Sequence, residues 1–365
     1  METEVLKLND YINTGIISEE DLVKIKEAAA VLKEGGLVAF PTETVYGLGG
    51  DARRPDVSKR IYAAKGRPSD NPLIVHISSM DELYPLVKSV PVDALKLSRV
   101  FWPGPMTMVM DKSDVIPHET TGGLDTVAVR MPVHPVATKL IELSGVPVAA
   151  PSANRSGRPS TTTAEHCIED LMGRIDLILD GGPCDIGVES TIVDLSGEVT
   201  LLRPGAVTME MLTEVLGNEP LRDKAVVRPL NEGEKPKAPG MKYRHYAPSA
   251  PLTVVRQKDG GDEVRKVYEA INDMVSEWTV EGKKVEVICT RECADALHLP
   301  EGVLVRTFGS EGESGEIAKN LFAVLRDTDS DSVDSIIAEG FGEKDLFLAI
   351  MNRLKKAAGW QIVET

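Results

Sequence analysis

The feature that most limits the fold of this chain is a rhythm. Short apolar runs alternate with segments whose apolar residues fall at helical spacing. Runs at 37–40, 73–77, 106–110, 126–130, 146–150, 177–179 and 191–194 read as strands, and 20–36, 56–64, 135–143 and 164–171 as helices. In the first helix Leu22, Ile25, Ala28, Ala29 and Leu32 share one face, and Gly35-Gly36 ends it. Thr162 and Glu165 stand in capping-box register before the last of them. Strands and helices in this order, with hairpin-like neighbours, predict an α/β domain built on a mixed sheet.

Past Leu252 the rhythm becomes strictly alternating. Strands are predicted at 252–256, 285–290 and 304–308, and helices at 263–278, 315–328 and 346–358, as in a small parallel Rossmann-like domain. Between the two regions, 231–251 holds Pro236, Pro239, Pro248 and Pro251 beside Lys235, Lys237, Lys242 and Arg244, which is linker composition. Its Tyr243-Arg244-His245-Tyr246 is more aromatic and basic than a spacer requires and could dock on a surface. The predicted division is 15–215, a linker over 216–250, and 251–361. A length of 365 residues suits two domains.

Composition narrows the function. No apolar run approaches the ~18 residues of a membrane span, and the charged start of the chain has no signal-peptide core, so a cytoplasmic protein is expected. Cys167, Cys184, Cys289 and Cys293 lack zinc-ligand spacing and read as reduced thiols. The net charge of −16 opposes sequence-independent binding to nucleic acid. The stretch from Ala250 onward carries 22 acidic against 14 basic residues, so a polyanion site belongs to a local basic cluster elsewhere.

The usual nucleotide signatures are missing. There is no GxxxxGK[ST] loop, and Gly47-Leu48-Gly49-Gly50 does not fit a dinucleotide fingerprint. Four loops could carry a site instead. Lys65-Gly66-Arg67-Pro68-Ser69-Asp70-Asn71-Pro72 fixes two cations between prolines, as phosphate binding needs, although a solvated turn would look the same. Pro151–Gly157 puts small hydroxyl and amide groups just after a buried strand, where α/β proteins often place ligand contacts; a self-capping turn is the alternative. Pro41–Leu48 follows another buried strand and is equally open to a capping role. Glu189-Ser190-Thr191 and Arg203-Pro204-Gly205 complete the set. Together Lys65, Arg67, Arg130 and Arg203 among Ser, Thr and Asn suit a nucleotide and a small anion held without a phosphate loop.

The motifs PTETVYGLG at 41–49, KGRPSDNPLIVHI at 65–77, FWPGPMT at 101–107, VAVRMP at 127–132, PSANRSG at 151–157, ESTIVD at 189–194 and LRPGA at 202–206 occur in order. They resemble the YrdC-like family over about residues 15–215. HYAP at 245–248 and the second domain resemble its long members, the threonylcarbamoyl-AMP synthases. The resemblance implies a twisted mixed sheet with a basic cavity that makes threonylcarbamoyl-AMP and pyrophosphate from L-threonine, bicarbonate or CO2 and ATP. The product would pass to a separate tRNA threonylcarbamoyltransferase complex. By the same resemblance Lys65, Arg67, Ser152 and Asn154 line the ATP site with Asn71, Thr126, Ser160 and Arg203, and Lys65 and Arg67 carry the catalysis. Thr44, His76, Arg130 and Ser190 look like the threonine contacts, with Thr42 against Thr44 and Ser160 against Thr162 left open. Such a transfer requires positioning and charge neutralisation, with Mg2+ on the triphosphate and no metal-ligating residue expected from the protein. Tyr246, with Tyr243 and Arg244, is read as a lid over the first domain's cavity, with a solvated linker as the alternative. His118, His134, His166 and His298 are read as ordinary histidines. Two other readings compete. A carbamoyl-adenylate former of hydrogenase maturation would need cysteine-rich zinc motifs absent here. An RNA- or ribosome-binding module on a basic concave surface would turn over no ATP with threonine.

Overall fold

The computed structural model describes residues 2–229, 234, 236–239, 241, 245–258, 264–328 and 332–365. The chain divides into two compact units, Met1–Ser156 with Ser160–Lys242, and Gly157–Pro159 with Tyr243–Thr365.

The first unit is a mixed sheet of eleven strands among the described residues. In chain order these are β1 (Glu4–Lys7), β2 (Val38–Phe40), β3 (Gly47–Asp51), β4 (Ile74–His76), β5 (Met106–Asp111), β6 (Thr126–Arg130), β7 (Val148–Ala149), β8 (Leu177–Asp180), β9 (Thr191–Asp194), β10 (Thr200–Arg203) and β11 (Leu221–Arg222). Across the sheet they run β1-β8-β2-β3-β7-β4-β6-β5-β9-β10-β11. The helices are α1 (Asn9–Thr14), α2 (Glu19–Glu34), α3 (Pro55–Lys65), α4 (Val92–Phe101), α5 (Pro135–Ser144), α6 (Ala164–Leu171), α7 (Met209–Leu216) and α8 (Lys224–Val227).

Local chemistry sets the ends of these elements. Ser18 caps α2 by accepting from the Asp21 amide, and Gly35 closes it in the left-handed conformation at φ 90°. The buried stripe Ile25, Ala28, Ala29 and Leu32 joins Val136, Ala137, Leu140 and Ile141 of α5 over β2 and β8 in one core. At α6 the cap is Thr163, which accepts from the His166 amide, so the capping-box register expected at Thr162 is one residue early. α3 begins at Pro55, whose fixed φ suits a first turn, and ends at Lys65.

Register decides what faces the centre. His76 of β4 lies opposite Arg130 of β6, Arg130 opposite Thr107 of β5, and Thr107 opposite Ile192 of β9. Residues in register share a face, so Ile74, His76, Ala128, Arg130, Thr107, Val109 and Ile192 line one side of the sheet. On that side Ala238 and Met241 pack with Ile74, Val109, Ala128, Ile192 and Leu202. This part of the proline-rich segment therefore lies against the first unit's sheet, with Lys237 paired to Asp194 at 3.0 Å. Tyr243 and Arg244 lie outside the described residues.

The second unit has the expected parallel sheet: β12 (Leu252–Arg256), β13 (Val285–Cys289), β14 (Leu304–Thr307), β15 (Ser335–Glu339) and β16 (Ile362–Glu364), ordered β14-β13-β15-β12-β16. Its helices are α9 (Val264–Val280), α10 (Arg291–Ala296), α11 (Ser314–Asp327) and α12 (Leu346–Ala357). No helix among the described residues is long and apolar enough to cross a membrane.

Candidate active site

Two groups of side chains assemble on the first unit. The first is built around Lys65. As the last residue of α3 it sits where the helix dipole favours a cation, and Gly66, at φ 62°, reverses the chain behind it. The Lys65 ammonium is buried and donates to the backbone carbonyls of Ser152, at 2.5 Å, and of Asn154. Ser152 Oγ in turn donates to Asn154 Oδ1 at 2.6 Å. The PSANRSG turn is thus tied to the helix end that supplies the lysine.

Arg67 braces the next turn. Its Nε donates to the Asn71 carbonyl at 3.2 Å and its Nη2 to the Pro72 carbonyl at 3.0 Å. Asn71 is buried, and its Oδ1 has no hydrogen-bond partner among the described residues. Extending the β4–β6 register back from Ile74 and Ala128 brings Pro72 level with Thr126. Thr126 therefore belongs to this end, four residues or about 13 Å along β6 from Arg130.

The second group surrounds Arg130. Its Nη1 donates to Thr44 Oγ1 at 2.9 Å, and its Nη2 lies 2.7 Å from Glu43 Oε1. Both charges are buried, yet the Glu43 contact lacks hydrogen-bond alignment. Nε and Nη2 of Arg130 and both Glu43 oxygens remain without a directed partner among the described residues. Directional donors left unmatched in buried space are what a carboxylate ligand would take up. On the next strand Thr107 Oγ1 meets Ser190 Oγ at 2.8 Å. Arg203 donates to the Ser190 carbonyl at 3.0 Å and to its Oγ at 3.1 Å. Thr44, Arg130, Ser190 and Arg203 are thereby linked through Thr107, which lies opposite Arg130.

His76, opposite Arg130 from the other side, is buried, and burial with the Arg130 charge lowers its pKa to about 3. It is therefore neutral at ordinary pH, with Nδ1 placed 3.2 Å from the Ile74 carbonyl as donor. His134 is likewise lowered, to about 4, chiefly by burial.

The geometry separates the two pairs that the sequence leaves open. Thr42 Oγ1 accepts from the amides of Thr44 and Val45 and donates to the Val45 carbonyl, so it serves its own turn, while Thr44 meets Arg130. Ser160 Oγ donates to Glu189 Oε1 at 2.7 Å, beside Ser190, whereas Thr162 sits against His166. Tyr246 belongs to the second unit, where its ring stacks on Phe322 at 5.0 Å with the backbone at φ 63°.

Three side chains beside the candidate residues are absent from the expected contacts: Glu43, Glu189 and Thr107. The two glutamates stand inside quoted motifs, but only the fold reveals that both are buried, Glu43 beside Arg130 and Glu189 beside Ser160. Thr107 ends the run FWPGPMT, where nothing local marks a hydroxyl as reaching a serine 83 residues away.

A family described as "Telomere recombination" matches residues 30–205, and one described as "Threonylcarbamoyl-AMP synthase, C-terminal domain" matches 207–359. The threonylcarbamoyl-AMP synthase of Pyrococcus abyssi is 49% identical over 93% of this chain and 96% of its own length. That of Bacillus subtilis is 46% identical over 93% and 94%. A crystal structure of P. abyssi Sua5 complexed with L-threonine superposes with a TM-score of 0.88 at 47% identity, covering all of both chains.

Proposed function

The chain belongs to the threonylcarbamoyl-AMP synthase family, and from that premise we propose how its own residues divide the work. The enzyme makes threonylcarbamoyl-AMP and pyrophosphate from L-threonine, bicarbonate or CO2 and ATP, for tRNA modification. The threonine amine and bicarbonate give a carbamate and water. A carbamate oxygen attacks the α-phosphorus, and the bond to the β-phosphate oxygen breaks as pyrophosphate leaves.

Arg130 takes the threonine carboxylate, held in place by Thr44 and Glu43. The single observation that carries this assignment is the buried Arg130, held by Thr44 and 2.7 Å from Glu43, with Nε and Nη2 lacking a directed partner among the described residues. Neutral His76 and Ser190 orient the amine and hydroxyl of the amino acid, since neither adds charge next to Arg130. Lys65, Arg67 and Arg203 offset negative charge on the phosphates as the α-phosphorus becomes five-coordinate, a purely electrostatic and positional contribution. Asn71, Thr126, Ser152, Asn154 and Ser160 hold the nucleotide. Mg2+ enters with the triphosphate as part of the substrate. The product leaves for a separate tRNA-threonylcarbamoylating complex in the cytoplasm.

The test is pyrophosphate release from MgATP and bicarbonate with threonine, serine or no amino acid. Threonine-dependent release, with Arg130→Lys raising the threonine KM at least tenfold and leaving that for ATP unchanged, is the expected result. Release indifferent to threonine would sink the assignment.

A further inference from the structure

The second unit contains a crevice to which the proposed reaction assigns no residue. From β13 the chain moves to the outer strand β14, whereas from β15 it crosses over β12 to β16. β13 and β15 are neighbours, so the loops leaving their carboxyl ends diverge, which is where open parallel sheets bind ligands. A cavity of about 290 Å³ lies at the carboxyl ends of β12, β14 and β15, lined by Gln257, Val267, Glu311, Glu339, Phe341 and Phe347 among others.

Its chemistry is one-sided. Glu339 is 3% exposed, with Oε2 accepting from the Thr290 amide at 2.6 Å and hydroxyl at 2.8 Å. Burial, aided by the nearby Glu311 charge, raises the pKa of Glu339. The Glu311 amide donates to a third carboxylate, Glu292, at 2.7 Å, and the neighbouring Arg291 is engaged by Glu316. Among the described residues no lysine or arginine lines the cavity, so the phosphates that such crevices often take would meet carboxylates. Phe341 and Phe347, 5.1 Å apart, supply an apolar wall.

We propose that this crevice binds a small organic ammonium ion, its head against Glu339 and its apolar body against Phe341 and Phe347. A carboxylate and aromatic faces together suit such a cation and reject its neutral and anionic isosteres.

Calorimetric titration of the full chain with phenethylamine, 2-phenylethanol and 3-phenylpropanoate tests it. The expected result is saturable one-to-one binding of the amine, at least tenfold weaker binding of the alcohol, and none of the carboxylate. Glu339→Gln, which keeps an acceptor for Thr290, is expected to weaken the amine at least tenfold. Gly342→Leu is expected to abolish binding, because a Cβ there meets nothing within 4 Å and the side chain can fill the cavity. Both variants are expected to retain threonine-dependent pyrophosphate release, which shows that they fold. Absence of amine binding to the unaltered chain would overturn the proposal. So would equal binding of amine and alcohol, or amine binding that neither substitution changes.

Discussion

Two buried groups near the Arg130 guanidinium make acid stability a property of single residues. His76 and His134 have pKa values lowered to about 3 and about 4 in the folded protein, against an ordinary 6.5. Above pH 6.5 both states hold them neutral and they contribute nothing. Below it the unfolded chain binds protons that the folded one refuses, so stability falls from about pH 6.5 down toward pH 3 or 4. Each such histidine costs about 1.4 kcal/mol per pH unit inside that window. Denaturant titrations at pH 4.5, 5.5, 6.5 and 7.5 are expected to show His76→Gln with a shallower acid limb, by about one proton, and an unchanged slope above pH 7. The Glu43–Arg130 pair offers a second residue-scale test. Removing one partner of a buried pair leaves the other charge stranded, typically at about 3–5 kcal/mol. Arg130→Ala is therefore expected to cost that much in chemical denaturation. The double variant with Glu43→Gln is expected to recover a measurable part, and strict additivity would show the two charges uncoupled. A third test concerns rate. Arg67→Ala is expected to lower kcat/KM for ATP by about 100-fold, the size of losing one transition-state donor, and an effect within twofold would remove Arg67 from the chemistry.

At the scale of elements, the strands that the sequence conceals are the instructive ones. β3 is written Gly-Leu-Gly-Gly-Asp, which has neither β-branched residues nor alternation, yet it sits fully buried between β2 and β7. Its glycines let neighbouring backbones and side chains approach closely. A Cβ on Gly49 would lie 2.7 Å from the Phe40 ring and 2.8 Å from Val148 Cγ1, both buried. Gly49→Ala is therefore expected to destabilise by about 1–3 kcal/mol, the usual effect of overpacking, seen as a lower Tm. An unchanged Tm would mean that Phe40 has room to move. β1 is hidden for the opposite reason: its residues are largely exposed, and pairing with β8 alone makes it a strand. Apolar periodicity did reveal α2, α5, β4, β5 and β6, because burial on one or both faces is what it reports. The loops of the site were legible as chemistry through their motifs, but their pairing was not. Arg130 meets Thr44 across 86 residues and Lys65 meets Ser152 across 87, and no local pattern encodes contacts of that separation.

For the whole molecule, the governing quantity is charge. A net −16 is spread over both regions of the sequence, with half the acidic excess lying from Ala250 onward. The cations in the candidate site are largely committed to the protein's own groups. Lys65 and Arg67 donate to loop carbonyls, Arg203 to Ser190, and Arg130 to Thr44 beside Glu43. They can serve one nucleotide held in place, but they do not form a continuous basic track. A polyanion such as tRNA releases counterions only where several lysines or arginines reach its phosphates together, and each contact steepens the dependence of affinity on salt. An RNA-binding module on this scaffold would therefore show a steep slope. The synthase is expected to show almost none: filter binding of unmodified tRNA at 50, 100 and 200 mM salt is expected to give weak retention that hardly changes. Retention lost about a thousandfold across that range would mean that six or more phosphates are engaged. The enzyme would then hold the tRNA itself, and release of a free adenylate to a separate complex would have to be abandoned.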